Sequence, residues 1–385
     1  MNINSQEQIL INFWEAHPVG HVVEALRVAL GYHVGNPTKS ISLVLNAAAP
    51  TELTKLCSFI DKTYPISVDG YPEHVNHESN INFDSVGTRW DYIIDNSRRQ
   101  SQDHMNVVPG FKKYFNESDA YFEAVTFHGI TGSQPPIYTP NQQLLLSIDE
   151  ESRKKAELFY GSSPHKIAVL LAGSNERWLY PSLVSWEMIL TALTDKYPGA
   201  TICLIGKHSK DGRTTTSFTQ LETDQLLSRD TRRISGFDLP LIEQMALIEA
   251  SDVFIGPHSG FCFLAPTLGV PWLALSGGRW PEHFFNGVPF HSVMPDPKRF
   301  PWFTTYDDVS LIEQDTGGEG PRVVSMSRER FETDLQEIVE MTGQLMRNEI
   351  SYEKAMSNHF PRLLEAAGND VSKIWSFDGV HRQYL

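Results

Sequence analysis

The chain has 385 residues, of which 41% are hydrophobic and 21% charged, which predicts two folded domains and excludes a disordered polypeptide. The formal net charge of −15 argues against sequence-independent binding of nucleic acid, because such binding needs clustered Lys and Arg. Cys57, Cys203 and Cys262 have no paired spacing, so we expect no disulfide framework.

No apolar stretch is long enough for a transmembrane segment, and the amino terminus lacks the features of a signal peptide. We therefore expect a soluble protein, and the unpaired cysteines favour a reducing cytoplasm. Peripheral association with a membrane stays open, because a small surface patch suffices for it and composition does not reveal such a patch.

The first part of the chain alternates predicted strands with predicted helices. Strands are expected at residues 9–14, 41–45 and 92–94, and the spacing of Val22, Leu26 and Leu30 predicts a helix from Val22 to about Tyr32. A second helix is expected from about Thr51, with Leu53, Leu56 and Ile60 on one side. This alternation predicts a parallel, doubly wound sheet. Residues 111–138 are irregular and read as loops, and residues 135–140 read as an extended linker.

The second part repeats the alternation. A polar helix at residues 147–160 leads into strands predicted at 167–171, 200–205, 252–255 and 272–275. Helices are expected up to about residue 196 and at 241–250, 327–347 and 352–367. The sequence therefore predicts a second sheet of the same class.

The turn after the third of these strands is the most informative segment. The strand ends at Gly256, and His258, Ser259 and Gly260 open a helix that Gly269-Val270-Pro271 ends. Free N–H groups of a first helical turn at the carboxyl edge of a parallel sheet can bind a phosphate, so a nucleotide is expected. Pro266 removes a helical N–H, which predicts a short or kinked helix.

The order of these motifs resembles the carboxyl-terminal half of the GT-B glycosyltransferases, and within them the lipopolysaccharide heptosyltransferase family (glycosyltransferase family 9). The matching segments are Arg177-Trp178, the leucine-rich helix at 239–252, the turn at 258–265, and Gly269-Val270-Pro271. His258 stands where the family has aspartate, and Phe263 where it has histidine. The donor can therefore differ from that of the family.

The resemblance implies an α/β GT-B fold, with two doubly wound Rossmann-like domains facing a cleft. It implies an acceptor-side domain at residues 1–160, a domain that binds a nucleotide sugar at 161–345, and a helical tail at 346–385 that crosses back to the first domain. The expected partners are a nucleotide sugar donor and a glycan, lipid-linked or small-molecule acceptor, with no nucleic acid and no cofactor.

The donor site is expected after the strands of the second domain. Arg177 would place a positive charge on the diphosphate, and Ser259 and Gly260 would supply hydroxyl and backbone donors. His258 would contact a phosphate or ribose as a partly protonated imidazole, or satisfy a neighbouring backbone group instead. For Arg177 the alternative is a solvated surface arginine. For Ser259 the alternative is a helix cap that binds no ligand. The predicted donor-binding set is Ser174, Arg177, Lys207, His258, Ser259 and Gly260.

The catalytic base is expected in the first domain. The family carries an aspartate after glycine in the first strand-to-helix loop, and Gly20-His21 falls at that place, so the resemblance makes His21 the positional candidate. Glu15 and His17 share the loop and could act instead or orient His21. A purely structural His21 that caps the next helix is the alternative.

No His-Glu-x-x-His, Cys-x-x-Cys or Asp-x-Asp pattern is present, so no metal site is expected. The sequence and the resemblance thus predict an enzyme: an inverting, metal-independent glycosyltransferase. The alternatives are a sugar-nucleotide epimerase on the same fold and a GT-B-like binding protein that has lost its base.

Overall fold

The structure, a computed structural model, describes residues 7–14, 17–68, 81–95, 111–125, 135–139, 141–209, 213–278, 287–303, 309–316 and 320–374. The chain divides into two compact units, Met1–Ile137 and Tyr138–Leu385. Among the helices of the described residues, none is long and apolar enough to cross a membrane.

The first unit contains a parallel sheet with the strand order β3-β2-β1-β4. Its strands are β1 (Gln8–Asn12), β2 (Ser40–Asn46), β3 (Ile60–Ile66) and β4 (Tyr92–Asp95). Its helices are α1 (Val19–Gly35), a 3-10 helix (Thr51–Leu56), a short 3-10 turn (Asp84–Val86) and α2 (Phe111–Val125). The predicted parallel pairing is confirmed by the register of these strands.

The core of this unit follows from the alternation of side chains along the strands. All seven residues of β2 are buried, as expected for a central strand that is covered on both faces. On one face, Leu10 and Trp14 pack in a cluster with Val44 of β2 and Phe122 of α2. The polar residues that end β1, β2 and β4 lie on this same face.

Two predictions for the first unit are wrong. The helix expected from Thr51 is a 3-10 helix that ends at Leu56, and Ile60 begins β3 by pairing with Ile41. Pro65 disfavours a helix and is tolerated on an edge strand, which β3 is.

Residues 111–125, expected as loops, form α2. This segment contains neither Gly nor Pro, so it can form a helix, and Tyr121 and Phe122 of this helix pack in the core of the first unit.

The second unit contains a parallel sheet with the order β10-β9-β8-β5-β6-β7, which is the doubly wound arrangement. Its strands are β5 (His165–Leu170), β6 (Ala200–Gly206), β7 (Arg233–Phe237), β8 (Val253–Pro257), β9 (Trp272–Leu275) and β10 (Phe290–Val293). β11 (Ile312–Gln314) and β12 (Pro321–Val323) form an antiparallel pair.

The helices of the second unit cover both faces of this sheet or follow it. They are α3 (Glu150–Tyr160), α4 (Leu183–Lys196), α5 (Gln220–Ser228), α6 (Leu241–Glu249), α7 (Leu264–Thr267), α8 (Arg328–Met346) and α9 (Tyr352–Ala366). The strands and long helices expected here are confirmed to within a few residues.

The helix α3 lies in the second unit, although the sequence placed it at the end of the first domain. Arg153 binds Glu249 of α6 through two hydrogen bonds, at 2.7 and 2.9 Å. The aromatic ring of Phe290 in β10 contacts Tyr352 and His359 of α9, which packs α9 against the edge strand of the same unit. A tail that crosses back to the first domain stays a prediction.

Candidate functional site

The candidate donor site lies at the point where the strand order of the second sheet reverses. β5 and β8 are neighbours, while the chain continues from β5 towards β6 on one side and from β8 towards β9 on the other. Ligands of doubly wound sheets bind in the crevice outside the carboxyl ends of such a strand pair. The segments that follow β5 and β8 carry Ser174, Arg177, His258, Ser259 and Gly260.

Gly173 allows the segments after β5 and β8 to approach each other closely. A Cβ atom at this position would lie 2.5 Å from Ser259 Oγ and 2.8 Å from Tyr180 Oη. Any larger residue would push Ser259 or Tyr180 away. The neighbouring Ser174 is exposed.

The turn after β8 is shorter than a regular helix. Gly260–Phe263 form a 3-10 helix, and α7 adds only Leu264–Thr267, so the prediction of a short helix is confirmed. A helix of four residues has only a small macrodipole. The helix dipole therefore contributes little to the anion binding that was expected at this turn. Ser259 precedes the 3-10 helix, but its side chain makes no capping hydrogen bond. The helix-cap alternative for this hydroxyl is therefore not observed.

His258 is neutral near physiological pH. Burial lowers the pKa of its imidazole to about 4, and its ring stands edge-on to Phe263 with 5.7 Å between the ring centroids. The expectation of a partly protonated imidazole is wrong, because burial removes the solvation that would stabilise the charged form of the ring. His258 can contact a ligand only as a neutral donor or acceptor.

Arg177 is held by other side chains and is not a solvated surface residue. Its Nη2 donates to Glu222 Oε1 at 2.9 Å, and its Cζ lies 3.3 Å from the centre of the Phe218 ring. About a quarter of its side chain, 26%, stays exposed. The guanidinium is therefore ordered in advance, but a carboxylate already binds one of its edges.

Glu222 connects Arg177 to the helix α5. Its Oε2 accepts hydrogen bonds from Thr219 N and Thr219 Oγ1, both at 2.8 Å, and so completes a capping box at the start of α5. Glu222 was not among the site residues predicted from the sequence. The pattern Thr219-x-x-Glu222 could have identified the capping box, but not the contact with Arg177.

Arg322 supports the Arg177 segment from inside the unit. Its guanidinium donates to the carbonyl oxygens of Arg177 and Tyr180, and its Nε lies 3.2 Å from Asp315 Oδ2. The side chains of Arg322 and Asp315 are only 1% and 0% exposed. This buried pair fixes the backbone that carries Arg177.

A second polar cluster lies at the carboxyl ends of β6 and β7. His208 Nδ1 lies 2.7 Å from Asp238 Oδ2, His208 Nε2 lies 3.2 Å from Thr223 Oγ1, and the imidazole stacks on Phe237. Asp238 adopts a φ of 60°, a strained conformation for a residue other than glycine. Burial raises the pKa of Asp238, but the hydrogen bonds from His208 outweigh it, so the net pKa lies below its usual value.

Lys207 at this edge was predicted from the sequence, and His208 was not. Lys207 is half-buried, and its carbonyl accepts a hydrogen bond from Thr216 N at 2.8 Å. Ser217 N donates to the carbonyl of Gly173 at 3.0 Å, so the segment after β6 adjoins the segment after β5. Lys207 thus belongs to the same edge of the sheet as the donor-site candidates.

The base candidates of the first unit are placed differently from the expectation. The helix α1 begins at Val19, so Gly20 and His21 lie in its first turn and not in the preceding loop. His21 Nδ1 lies 3.4 Å from Glu24 Oε2, and 43% of the His21 side chain is exposed. His17 is half-buried and precedes the helix. Glu15 lies outside the described residues.

Three strands of the first sheet end in polar residues that the sequence analysis did not consider. Asn12 Nδ2 donates to Asp95 Oδ1 at 3.1 Å and to Ser118 Oγ of α2 at 3.3 Å. Asn46 Oδ1 accepts a hydrogen bond from Ala48 N at 2.9 Å. Asn12 and Asn46 are 0% and 2% exposed.

In the part of the chain that the structure describes, no group of three or more His, Cys, Asp or Glu side chains is arranged to hold a metal ion.

No protein-family model and no curated protein matches the chain. Among solved structures, the family 9 glycosyl transferase of Veillonella parvula aligns over 89% of this chain and 99% of its own, with a TM-score of 0.54 and 14% identity. The ADP-heptose lipopolysaccharide heptosyltransferase II of Escherichia coli aligns over 88% and 99%, with a TM-score of 0.52 and 12% identity. At these identities the likeness establishes the fold, and the predicted fold class is confirmed: the chain has the GT-B fold of the family 9 glycosyltransferases.

Proposed function

We propose that the protein transfers a sugar from a nucleotide diphosphate sugar to an acceptor hydroxyl, with inversion and without a metal ion. The observation that carries this proposal is the close approach of Gly173, in the segment that leads to Arg177, to Ser259 at the carboxyl ends of β5 and β8. The GT-B fold adds the two-unit framework that such transfer uses.

The donor side must stabilise a diphosphate that gains negative charge as it leaves. Arg177 offers a guanidinium that Phe218 and Glu222 already hold in one orientation, and the Ser259 hydroxyl makes no capping bond that would compete with a ligand. Preorganised donors of this kind stabilise developing charge without the reorganisation that water requires. A metal ion is therefore not needed for charge neutralisation. His258, Gly260, Ser174 and Lys207 complete the proposed donor site.

The acceptor side must supply a base that removes the hydroxyl proton. By resemblance this base belongs to the first unit, where His21 is the positional candidate and Glu15 or His17 could act instead or orient it. The acceptor is a glycan, a lipid-linked sugar or a small molecule. The E. coli structure that shares the fold is an ADP-heptose heptosyltransferase, so ADP-heptose belongs in any donor panel.

Calorimetric titration with ADP, GDP and UDP, followed by turnover of the corresponding nucleotide sugars, tests the proposal. We expect binding of one nucleoside diphosphate, release of that diphosphate from its sugar nucleotide, and activity that persists within about twofold in excess EDTA. Conversion of the free sugar nucleotide into an epimer would contradict the transfer reaction, and binding without turnover would contradict the enzymatic activity. Loss of activity in EDTA that magnesium restores would contradict the metal-independent mechanism.

Arg177→Ala tests the donor site itself. We expect it to weaken nucleoside diphosphate binding about tenfold or more, because it removes a charge-assisted contact of about 1.5–3 kcal/mol. Unchanged affinity would exclude Arg177 from the site.

A further inference from the structure

The reversal of strand order in the first sheet lies between β1 and β4. The sheet order is β3-β2-β1-β4, and the last residues of β1 and β4, Asn12 and Asp95, are register partners. Apolar residues precede them on both strands, and Ile9, Ile11 and Ile93 are fully buried, while Ile94 is half-buried. The change from apolar to polar therefore occurs on both strands at the position where open α/β sheets bind ligands.

Asn12 is arranged to hold the Asp95 carboxylate in one orientation. Its amide nitrogen donates one hydrogen bond to Asp95 Oδ1 and the other to Ser118 Oγ of α2. Within the described residues, its remaining polar atom, Oδ1, has no hydrogen-bond partner although the side chain is 0% exposed. Such a buried atom costs about 1–3 kcal/mol, which an apolar residue would avoid. An explanation beyond stability is required for Asn12.

Asn46 marks the same edge of the sheet. Asn12 pairs with Val44, and Asn46 follows Val44 by two residues, so Asn46, Asn12 and Asp95 share one face. Asn46 is 2% exposed, and among the described residues its Nδ2 has no hydrogen-bond partner. Two buried amides thus keep an unsatisfied polar atom next to the strand ends that include Asp95.

Asp95 fits the role of a base better than the positional candidate. Of the residues that end the four described strands of this sheet (Asn12, Asn46, Ile66 and Asp95), Asp95 alone can exchange a proton. It is half-buried and oriented by Asn12. By contrast, His21 is 43% exposed and contacts Glu24 of its own helix. A general base must be held in a fixed position relative to the hydroxyl that it deprotonates.

We infer that the Asp95 carboxylate accepts the proton of the acceptor hydroxyl, and that Asn12 is its positioning residue. This inference rests on the proposed transferase function. In the step, the acceptor oxygen forms a bond to the anomeric carbon of the donor sugar, and its proton passes to Asp95. The bond between the anomeric carbon and the diphosphate oxygen breaks, and the diphosphate leaves with the electron pair.

The first test measures nucleoside diphosphate release from the nucleotide sugar that the wild-type protein turns over, with nucleoside diphosphate affinity measured in parallel. We expect Asp95→Asn to lower turnover about 100-fold or more and to change affinity less than twofold. Asp91→Asn is the matched control, because Asp91 precedes the same strand at its other end and accepts a hydrogen bond from Gln8 N at 2.8 Å. Its turnover should stay within about threefold of wild type.

A second test uses Asp95→Ala with added formate. A small carboxylate can take the place of the missing side chain, so turnover should rise about tenfold or more with formate, while wild type and Asp91→Ala should not respond. A purely structural role would give no such rescue, so an absent rise overturns the inference even where the variant is destabilised. Asn12→Ala should lower kcat and leave nucleoside diphosphate affinity unchanged; a fall in both properties would overturn its positioning role.

The outcomes separate this inference from the proposed function. If the wild-type protein turns over no nucleotide sugar, the proposed function fails and this inference fails with it. If wild type is active and Asp95→Asn keeps near-wild-type turnover while His21→Ala loses about 100-fold, the transferase function stands and the base is His21.

Discussion

Replacing Glu222 by glutamine should raise the affinity of the second unit for a nucleoside diphosphate. Glu222 Oε1 binds Arg177 Nη2 at 2.9 Å, so a diphosphate must compete with this carboxylate for the same N–H group. Glutamine has the shape of glutamate and also serves in a capping box, so α5 should keep its start at Thr219. The Phe218 ring keeps Arg177 in place in the variant.

The size of the effect follows from the exposure of the pair. A hydrogen bond between charged groups contributes about 1.5–3 kcal/mol when it is shielded from water. Here the two side chains are 26% and 27% exposed, and solvent screening reduces such a contribution to about 1 kcal/mol. This free energy corresponds to about a fivefold gain in affinity.

Calorimetric titration with ADP, GDP and UDP measures this gain. Asp224→Asn is the matched control, because Asp224 lies on the same helix, makes its hydrogen bond to Gln220 at 2.8 Å, and changes the net charge of the protein by the same amount. The difference between the two variants isolates the contact with Arg177. An affinity gain in Glu222→Gln no larger than in Asp224→Asn would refute the reasoning.

Three further predictions concern the framework of the site. Arg322→Met should lower the free energy of unfolding, measured by urea denaturation, by about 3–5 kcal/mol, because Asp315 stays buried without its cation. The double variant Arg322→Met/Asp315→Leu should recover much of this loss. An absence of recovery would contradict the assignment of the loss to the unpaired Asp315 carboxylate. Burial lowers the pKa of His359 to about 3, so its unfolded imidazole takes up a proton first and stability falls as the pH drops from about 6.5 towards 3. His359→Gln should flatten this slope by up to about 1.4 kcal/mol per pH unit, and an unchanged slope excludes His359. Gly173→Ala should weaken nucleoside diphosphate binding about tenfold, because the added Cβ would displace Ser259. If this clash is the cause, the double variant Gly173→Ala/Ser259→Gly should bind the nucleoside diphosphate no more weakly than Ser259→Gly does.

Four of the six strands of the second sheet could be predicted from the sequence, because they are continuous apolar segments next to glycine or proline; β7 and β10 contain polar residues and were not predicted. The strand Trp272–Leu275 has the predicted limits, and α6 ends one residue before the expected position. The first sheet was harder to predict, because the local spacing of apolar residues indicated a helix where the structure has a strand. Ile60 continues the helical spacing of Leu53 and Leu56, but pairing with Ile41 across β2 makes it part of a strand. Tertiary pairing of this kind overrides local periodicity.

The site could be predicted only in part, because its electrostatics arise between distant segments. The place of Arg177 after β5 followed from the order of elements, but its partners Phe218 and Glu222 lie beyond the next strand in sequence. The neutral state of His258 depends on burial, which no local motif reveals. Asn12 and Asp95 carry no motif, and only the register of β1 with β4 brings them together.

The charge of the whole protein places a further condition on the donor site. The formal net charge of −15 gives the protein no long-range attraction for an anionic nucleotide, and interactions between exposed charges are largely screened beyond about 8 Å at physiological ionic strength. Arg177 is partly compensated by Glu222, so its attraction is weak until a ligand reaches contact distance. Recognition must therefore depend on contact geometry and not on electrostatic steering. A site of this kind gains little from distant positive charge and much from the close approach that Gly173 permits.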